Sequence, residues 1–204
     1  MKDAFENYII HPNVIWEGAH QVGSFCVVGQ PFSGSENAET RIGDNVVLRS
    51  HSVLYAGNVI GKNFQTGHGV MIRELNQIGD NVSIGTHSIV EHHVVIGNGV
   101  RIHSNVFIPE YCVLEDECWI GPAVLMTNAM YPRSKSVKGK LAGAIIEKGA
   151  KIGAGAVLLP GVRIGRNALI GSGAVVTRDV EENGVVVGNP SRLINHITDI
   201  PDYQ

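Results

Sequence analysis

Histidine, asparagine and carboxylate side chains recur in this chain at intervals of eighteen residues. His51, Gly69, His87 and Asn105 form one such series, and Gly85, His103 and Gly121 a second. Glu74, His92, Glu110 and Asn128 form a third, Arg73, Glu91 and Pro109 a fourth, and His93, Tyr111 and Ala129 a fifth. An imidazole takes or gives a proton near neutral pH. An asparagine amide orients an amine or donates to a developing oxyanion. Proton transfer beside a positioned electrophile is therefore within reach of these residue types, provided that a scaffold brings residues eighteen apart into contact. The competing reading is a solvated polar edge with no specific role.

The scaffold is written in the aliphatic residues. Every sixth position from Ile42 to Met126 is aliphatic in fourteen of fifteen cases, with Thr66 the exception. Neither a helix of period 3.6 nor a strand of period 2 produces that pattern. A fixed six-residue repeat is the mark of a parallel β-helix. Three short strands and three turns make one triangular coil of eighteen residues, and successive coils pair as parallel strands about 4.8 Å apart. Glycine often follows the aliphatic position, as at Gly43, Gly61, Gly79, Gly85, Gly97 and Gly121, so His103 is a bulky residue in a glycine slot. A second inward position, four residues after the first, is expected to hold small or medium side chains. Cys26, Cys112 and Cys118 all fall on it and read as buried thiols. About twenty-five inward positions imply about eight coils.

The whole chain, 1–204, reads as one β-helical domain. Residues 1–9 are expected to cap the first coil. The polar segment 29–41 is expected to loop out, because the six-residue frame slips by two across it. Residues 127–145 break the frame again, carry lysine and arginine, and are expected to project as a functional loop. Residues 177–204 are expected to cap the far end with a terminal strand or short helix.

Composition narrows the function classes. The formal net charge of −3 offers no basic surface for nucleic acid or an anionic membrane. The N-terminal MKDAFENYII lacks the apolar run of a signal peptide, and no stretch is long enough to span a bilayer. Three cysteines without a CxxC pair argue against a disulfide framework. A cytoplasmic protein is the expectation.

The repeats I-G-D-N-V at 42–46 and 78–82, the loop after Met126 and the ending AVVTRDVEENGVVVGNPSRLI resemble the hexapeptide-repeat acyltransferases over about residues 40–197. That resemblance implies a left-handed β-helix, a homotrimer, and acetyl-CoA or another acyl carrier as co-substrate. The segment NVFIPEYCVLEDECWIGPAVLMTNAMYPRS is most similar to the N-acetyltransferases that acetylate the amino group of a UDP- or dTDP-linked amino sugar for cell-surface polysaccharide precursors. The sugar O-acetyltransferases of the superfamily carry a catalytic histidine before the loop proline, where this chain has Tyr131. An amine, once neutral, attacks a thioester without a strong base.

On this resemblance His87, His103, Asn105 and Asn128 are the catalytic candidates. Acetyl-CoA would bind along Ala154 and Ser172, with Thr177 and Arg178 near its adenosine end and Arg192 on its phosphates. Arg73, Glu74, Glu91 and His92, with the 29–40 segment, are candidates for selecting the nucleotide sugar. No metal is expected. Three alternatives remain: a γ-class carbonic anhydrase-like zinc enzyme, for which His87 and His92 have the H-x-x-x-x-H spacing and His68 offers a third imidazole, a sugar O-acetyltransferase, and a non-enzymatic binding scaffold.

Overall fold

Two-residue strands alternate with four-residue corners because each strand contributes one outward residue followed by one inward aliphatic. The computed structural model, which describes residues 7–34 and 38–203, shows an all-β, left-handed parallel β-helix. Its first sheet has nine strands, from Ile9–Ile10 to Val175–Val176, and its second has eight, from Val14–Trp16 to Arg163–Ile164. The third runs from His20–Val22 to Gly184–Val187, and Arg192–His196 is added to its end antiparallel. Eight complete coils and a partial ninth result. The inward aliphatics, among them Leu54, Ile84, Ile102 and Ile120, form one continuous buried core. Among the described residues no helix is long and apolar enough to cross a membrane.

Coil stacking follows the eighteen-residue interval. Met71 pairs with Ile89, Gln77 with Val95, and Ser83 with Arg101. Two segments are added outside the coil. Between Val27 and Val53 the interval is 26 residues, and between Leu125 and Val157 it is 32. The insertions are therefore eight and fourteen residues, each two more than a multiple of six. The sequence frame slips by two at each while the prism stays in phase.

Several expected boundaries move. Gly29 and Gln30 belong to the strand Val27–Gln30, where Gly29 (φ 78°) sits at a register irregularity. Thr40 and Arg41 belong to the strand Thr40–Ile42. The first loop thus spans 31–39, of which 35–37 lie outside the described residues. Thr127 still donates its N–H to Leu158 in the ladder, Ala142 N–H donates to Asn128, and the strand resumes at Ile145. The excursion is therefore 129–141. At the N-terminal end the first strand begins at Ile9, and residues 1–6 of the expected cap lie outside the described residues, as does Gln204 at the other end. There Val180 bridges to Ile164 and the Gly184–Val187 and Arg192–His196 strands follow.

The second inward position is less restricted than its spacing implies. Phe64 occupies it fully buried, and so do Asn58 and Asn76. The two asparagines are satisfied in series. Asn76 N–H donates to Asn58 Oδ1 (2.9 Å), Val94 N–H donates to Asn76 Oδ1 (2.7 Å), and both amides donate to the Arg73 carbonyl (2.8 Å each). The three cysteines are buried as expected, and burial raises each thiol, Cys112 and Cys118 to about 12. A thiol-specific reagent at pH 8 should label none of the three in the native protein and all three in denaturant. Rapid native labelling would contradict this packing.

Candidate functional site

The corners create three long edges. Most corners from Phe25 onward have a residue in the left-handed backbone region, which glycine and asparagine tolerate and bulky residues resist. Asn45, Asn63, Asn81, Asn105 and Asn167 hold it at φ between 56° and 60°. His51, His87, His93 and Tyr111 hold it too, at φ 64°, 58°, 57° and 68°. Asn105 and the histidines are thus residue types that such a corner favours, whereas Tyr111, like Phe25, Leu75 and Glu117, opposes the local preference.

The edge between the third and first sheets carries His51, His68, His87, His103 and Asn105. His103 follows the inward Ile102, between Gly85 and Gly121 of the adjacent coils. A Cβ at Gly85 would meet the His103 carbonyl carbon at 2.4 Å, so glycine there allows the close backbone approach. The His103 ring packs on Trp119 with centroids 4.7 Å apart, and Arg101 Nε–H makes a long hydrogen bond of 3.4 Å to His103 Nε2. Burial, and then the positive charge of Arg101, hold the imidazole below the ordinary histidine value. A neutral ring able to accept a proton results.

Below His103, toward the N-terminal coils, lies a groove of about 380 Å³ on the outer face of the third sheet. Arg49, Gln65, His68, Ser83, Arg101 and His103 line it. Thr66, the one polar residue in the aliphatic frame, explains the placement of Arg49. Its buried hydroxyl accepts the Arg49 backbone N–H (2.9 Å), and its carbonyl accepts Arg49 Nη1 (2.6 Å). His68 Nδ1 is tied to Ser50 Oγ at 2.9 Å.

The edge between the first and second sheets carries the other candidates and gives rise to the 129–141 loop. Glu74 is buried, 7% exposed, and Arg73 grips it through Nε and Nη2 at 2.8 Å each. Arg73 Nη1 also reaches Glu91 at 3.1 Å, and its guanidinium lies 5.2 Å from the Tyr55 ring centre. Burial pushes the Glu74 carboxyl up, but the Arg73 hydrogen bonds, its own backbone N–H and the charges of Arg73 and His92 together hold it below the ordinary value. One coil on, His92 Nε2 lies 3.6 Å from Glu110 Oε1, and Asn128 Nδ2 donates to Glu110 Oε2 at 2.6 Å. The Nδ1 atoms of His92 and His93 are 2.8 Å apart, so one donates and the other accepts.

The four catalytic candidates therefore divide. His87, His103 and Asn105 share one edge, and Asn128 stands on the next, across the first sheet. Arg73, Glu74, Glu91 and His92 join Asn128. Ala154 and Ser172 continue the His103 edge beyond the loop. Arg178 and Arg192 come together at the C-terminal end, where both line a cavity of about 370 Å³ with Ser191 and Leu193, and Thr177 is the neighbour of Arg178 in the chain. Of the imidazoles with metal-ligand spacing, His68 and His87 lie on one edge and His92 on the next. Among the described residues no group of three His, Cys, Asp or Glu is placed to hold a metal ion. Sequence reasoning missed Arg49, Gln65, Arg101 and Trp119. The signal was present, since Gln65, Ser83, Arg101 and Trp119 are an eighteen-residue series one position before the aliphatic frame.

Comparison with known proteins agrees with this architecture. The family model for bacterial transferase hexapeptides (six repeats) matches residues 77–110 and 143–178. No curated protein matches in sequence. Among solved structures, the Arabidopsis UDP-N-acetylglucosamine acyltransferase is 20% identical with a TM-score of 0.55, over 96% of this chain and 74% of its own. The polySia-specific acetyltransferase NeuO is 19% identical with a TM-score of 0.55, over 93% and 80%. A GDP-perosamine N-acetyltransferase from Caulobacter crescentus, in complex with CoA and GDP-perosamine, is 23% identical with a TM-score of 0.42, over 68% of this chain and 57% of its own. At these identities the first two likenesses show the fold alone.

Two outcomes follow from the site geometry. Arg101→Gln removes one of the two causes of the depressed His103 titration, so NMR titration should show the His103 pKa rising toward the ordinary value. An unchanged pKa would rule out the Arg101 contribution. Arg73→Ala leaves Glu74 buried without its partner and should cost about 3 kcal/mol in stability at neutral pH. Denaturant melts measure this loss, which shrinks as the pH falls through the Glu74 titration and the carboxyl becomes neutral.

Proposed function

We propose that this chain, which matches the bacterial transferase hexapeptide model at residues 77–110 and 143–178 and is wound as a left-handed β-helix, is an acetyl-CoA-dependent N-acetyltransferase whose acceptor is the amino group of a nucleotide-linked amino sugar. The observation that carries this reading is His103. It is a neutral imidazole packed on Trp119 at the head of a groove long enough for an extended acceptor. The segment NVFIPEYCVLEDECWIGPAVLMTNAMYPRS, which resembles the amino-sugar N-acetyltransferases, supports the acceptor class.

In this reading the neutral amine attacks the thioester carbonyl carbon. A C–N bond forms, and the carbonyl oxygen becomes an oxyanion within reach of amide donors such as that of Asn105. Collapse breaks the C–S bond and releases CoA as the thiolate, while the proton of the new ammonium passes to the His103 imidazole. His87 stands one coil away on the same edge. Ala154 and Ser172 lie where the pantetheine arm would run, and Thr177, Arg178 and Arg192 where its nucleotide end would sit. Glu74, Glu91 and Glu110 give the other edge an excess of negative charge, suited to an aminated substrate.

The functional unit is proposed to be a homotrimer working in the cytoplasm. The first sheet turns Val53, Met71, Ile89, Phe107 and Leu125 outward, an apolar stripe between the two polar edges. A copy seated on that stripe borders both edges, so the Asn128 loop of one protomer can meet the His103 edge of another.

The test is a panel of UDP-, dTDP- and GDP-linked amino sugars with acetyl-CoA, read by release of free thiol. His103→Ala should lower kcat at least about a hundredfold, the usual scale for losing a positioned base. Asn105→Ala should lower it less. Full activity in both variants would remove these residues from the site.

A further inference from the structure

The groove beneath His103 has a chemical character that the transfer step alone does not require. Arg49 and Arg101 both line it, and among the described residues no carboxylate does. Among the described residues neither arginine is in an ion pair, whereas Arg41, Arg73 and Arg163 each lie against a glutamate. Arg49 is pre-positioned by Thr66, and its remaining N–H groups are open to the groove. Between the arginines stand Gln65, Ser83 and Thr86, all uncharged hydrogen-bonding side chains. Arg49 and Arg101 belong to coils three apart, about 14 Å along the prism at the inter-coil spacing. An isolated phosphate cannot occupy that length, but an extended molecule with phosphate near one end can.

We propose that this groove is the nucleoside diphosphate subsite for the acetyl acceptor. Arg101, next to His103, holds the phosphates, so that the sugar on the diphosphate reaches the imidazole. Arg49 and Gln65 take the nucleoside, whose base and ribose present the acceptors and hydroxyls that a fixed guanidinium and a carboxamide recognise. The direction of binding rests on the transferase reading, but occupancy of the groove does not. The acidic edge that carries Glu74, Glu91 and Glu110 is thereby freed from phosphate recognition, for which its charge is unsuited.

Trp119 supplies the readout, because its ring packs at a tilt of 58° against His103 at the head of the groove. In a Trp16→Phe background it is the sole tryptophan. UDP, dTDP, GDP, inorganic pyrophosphate and CoA are each titrated while Trp119 fluorescence is followed. At least one nucleoside diphosphate should give a saturable change, with pyrophosphate binding more weakly. Arg101→Gln should weaken nucleotide binding at least about tenfold, the scale of a lost charged hydrogen bond. Arg49→Gln should weaken nucleotide binding while leaving pyrophosphate unaffected. Lys62→Gln, on the opposite edge, should change nothing, and melting temperatures check that the variants are folded. The proposal is overturned if no nucleoside diphosphate binds, if the Arg49→Gln, Arg101→Gln double variant binds as well as the parent, or if only CoA binding depends on these arginines. Nucleotide binding without acetyl transfer would support the subsite and count against the transferase reading alone.

Discussion

Everything in this molecule depends on how closely one coil can lie on the next. Parallel strands at about 4.8 Å leave no room for a Cβ wherever a corner backbone runs against its neighbour. Gly43, Gly61, Gly79 and Gly85 each face the backbone of the following coil at under 3 Å from where a Cβ would stand. The same contact that demands glycine on one coil permits a large side chain on the next. His103 takes its place above Gly85 for that reason, and His87 packs over Gly69, whose added Cβ would meet the His87 ring at 2.7 Å. The polar edges are built from the space that glycine leaves.

Close stacking also makes side chains far apart in sequence behave as neighbours. On the edge between the second and third sheets it produces a plain structural ladder, in which Asn45 donates to Asn63 and Asn63 to Asn81 at 2.8 and 2.9 Å. On the next edge the same geometry joins Arg73 to Glu91 and Glu110 to Asn128. On the third it lines up Arg49, Ser83 and Arg101 beneath His103. One construction thus yields a stabilising ladder, an acidic ion-pair network and a cationic groove, according to which residue types fill the corners.

The fold was legible because burial enforces a strict period, and nothing else in a soluble chain repeats every six residues. The columns of candidate side chains were legible for the same reason, and the register confirms that residues eighteen apart pair. The loop boundaries were not. Gly29, Gln30, Thr40 and Arg41 have loop-like composition, yet the ladder hydrogen bonds of the adjacent coil hold them as strand. Asn58, Phe64 and Asn76 broke the expected size limit because the interior is wide enough at those corners and the asparagines find backbone partners. The groove was invisible to a reading that followed inward positions, since its arginines face outward and carry no burial signal. Thr66, the single irregularity in the frame, and the eighteen-residue series Gln65, Ser83, Arg101 and Trp119 were the sequence's pointers toward it.

The 129–141 excursion leaves and rejoins the prism at one point, where Ala142 N–H meets the Asn128 carbonyl. The register offset of fourteen that it creates is the same in all three sheets, at Val113 with Ile145, Trp119 with Lys151 and Leu125 with Val157. The helix is therefore indifferent to what hangs from that junction. Length and sequence can vary there without re-registering a single strand, so the chain separates a rigid ruler, which fixes distances along its axis, from an appendage free to be exchanged.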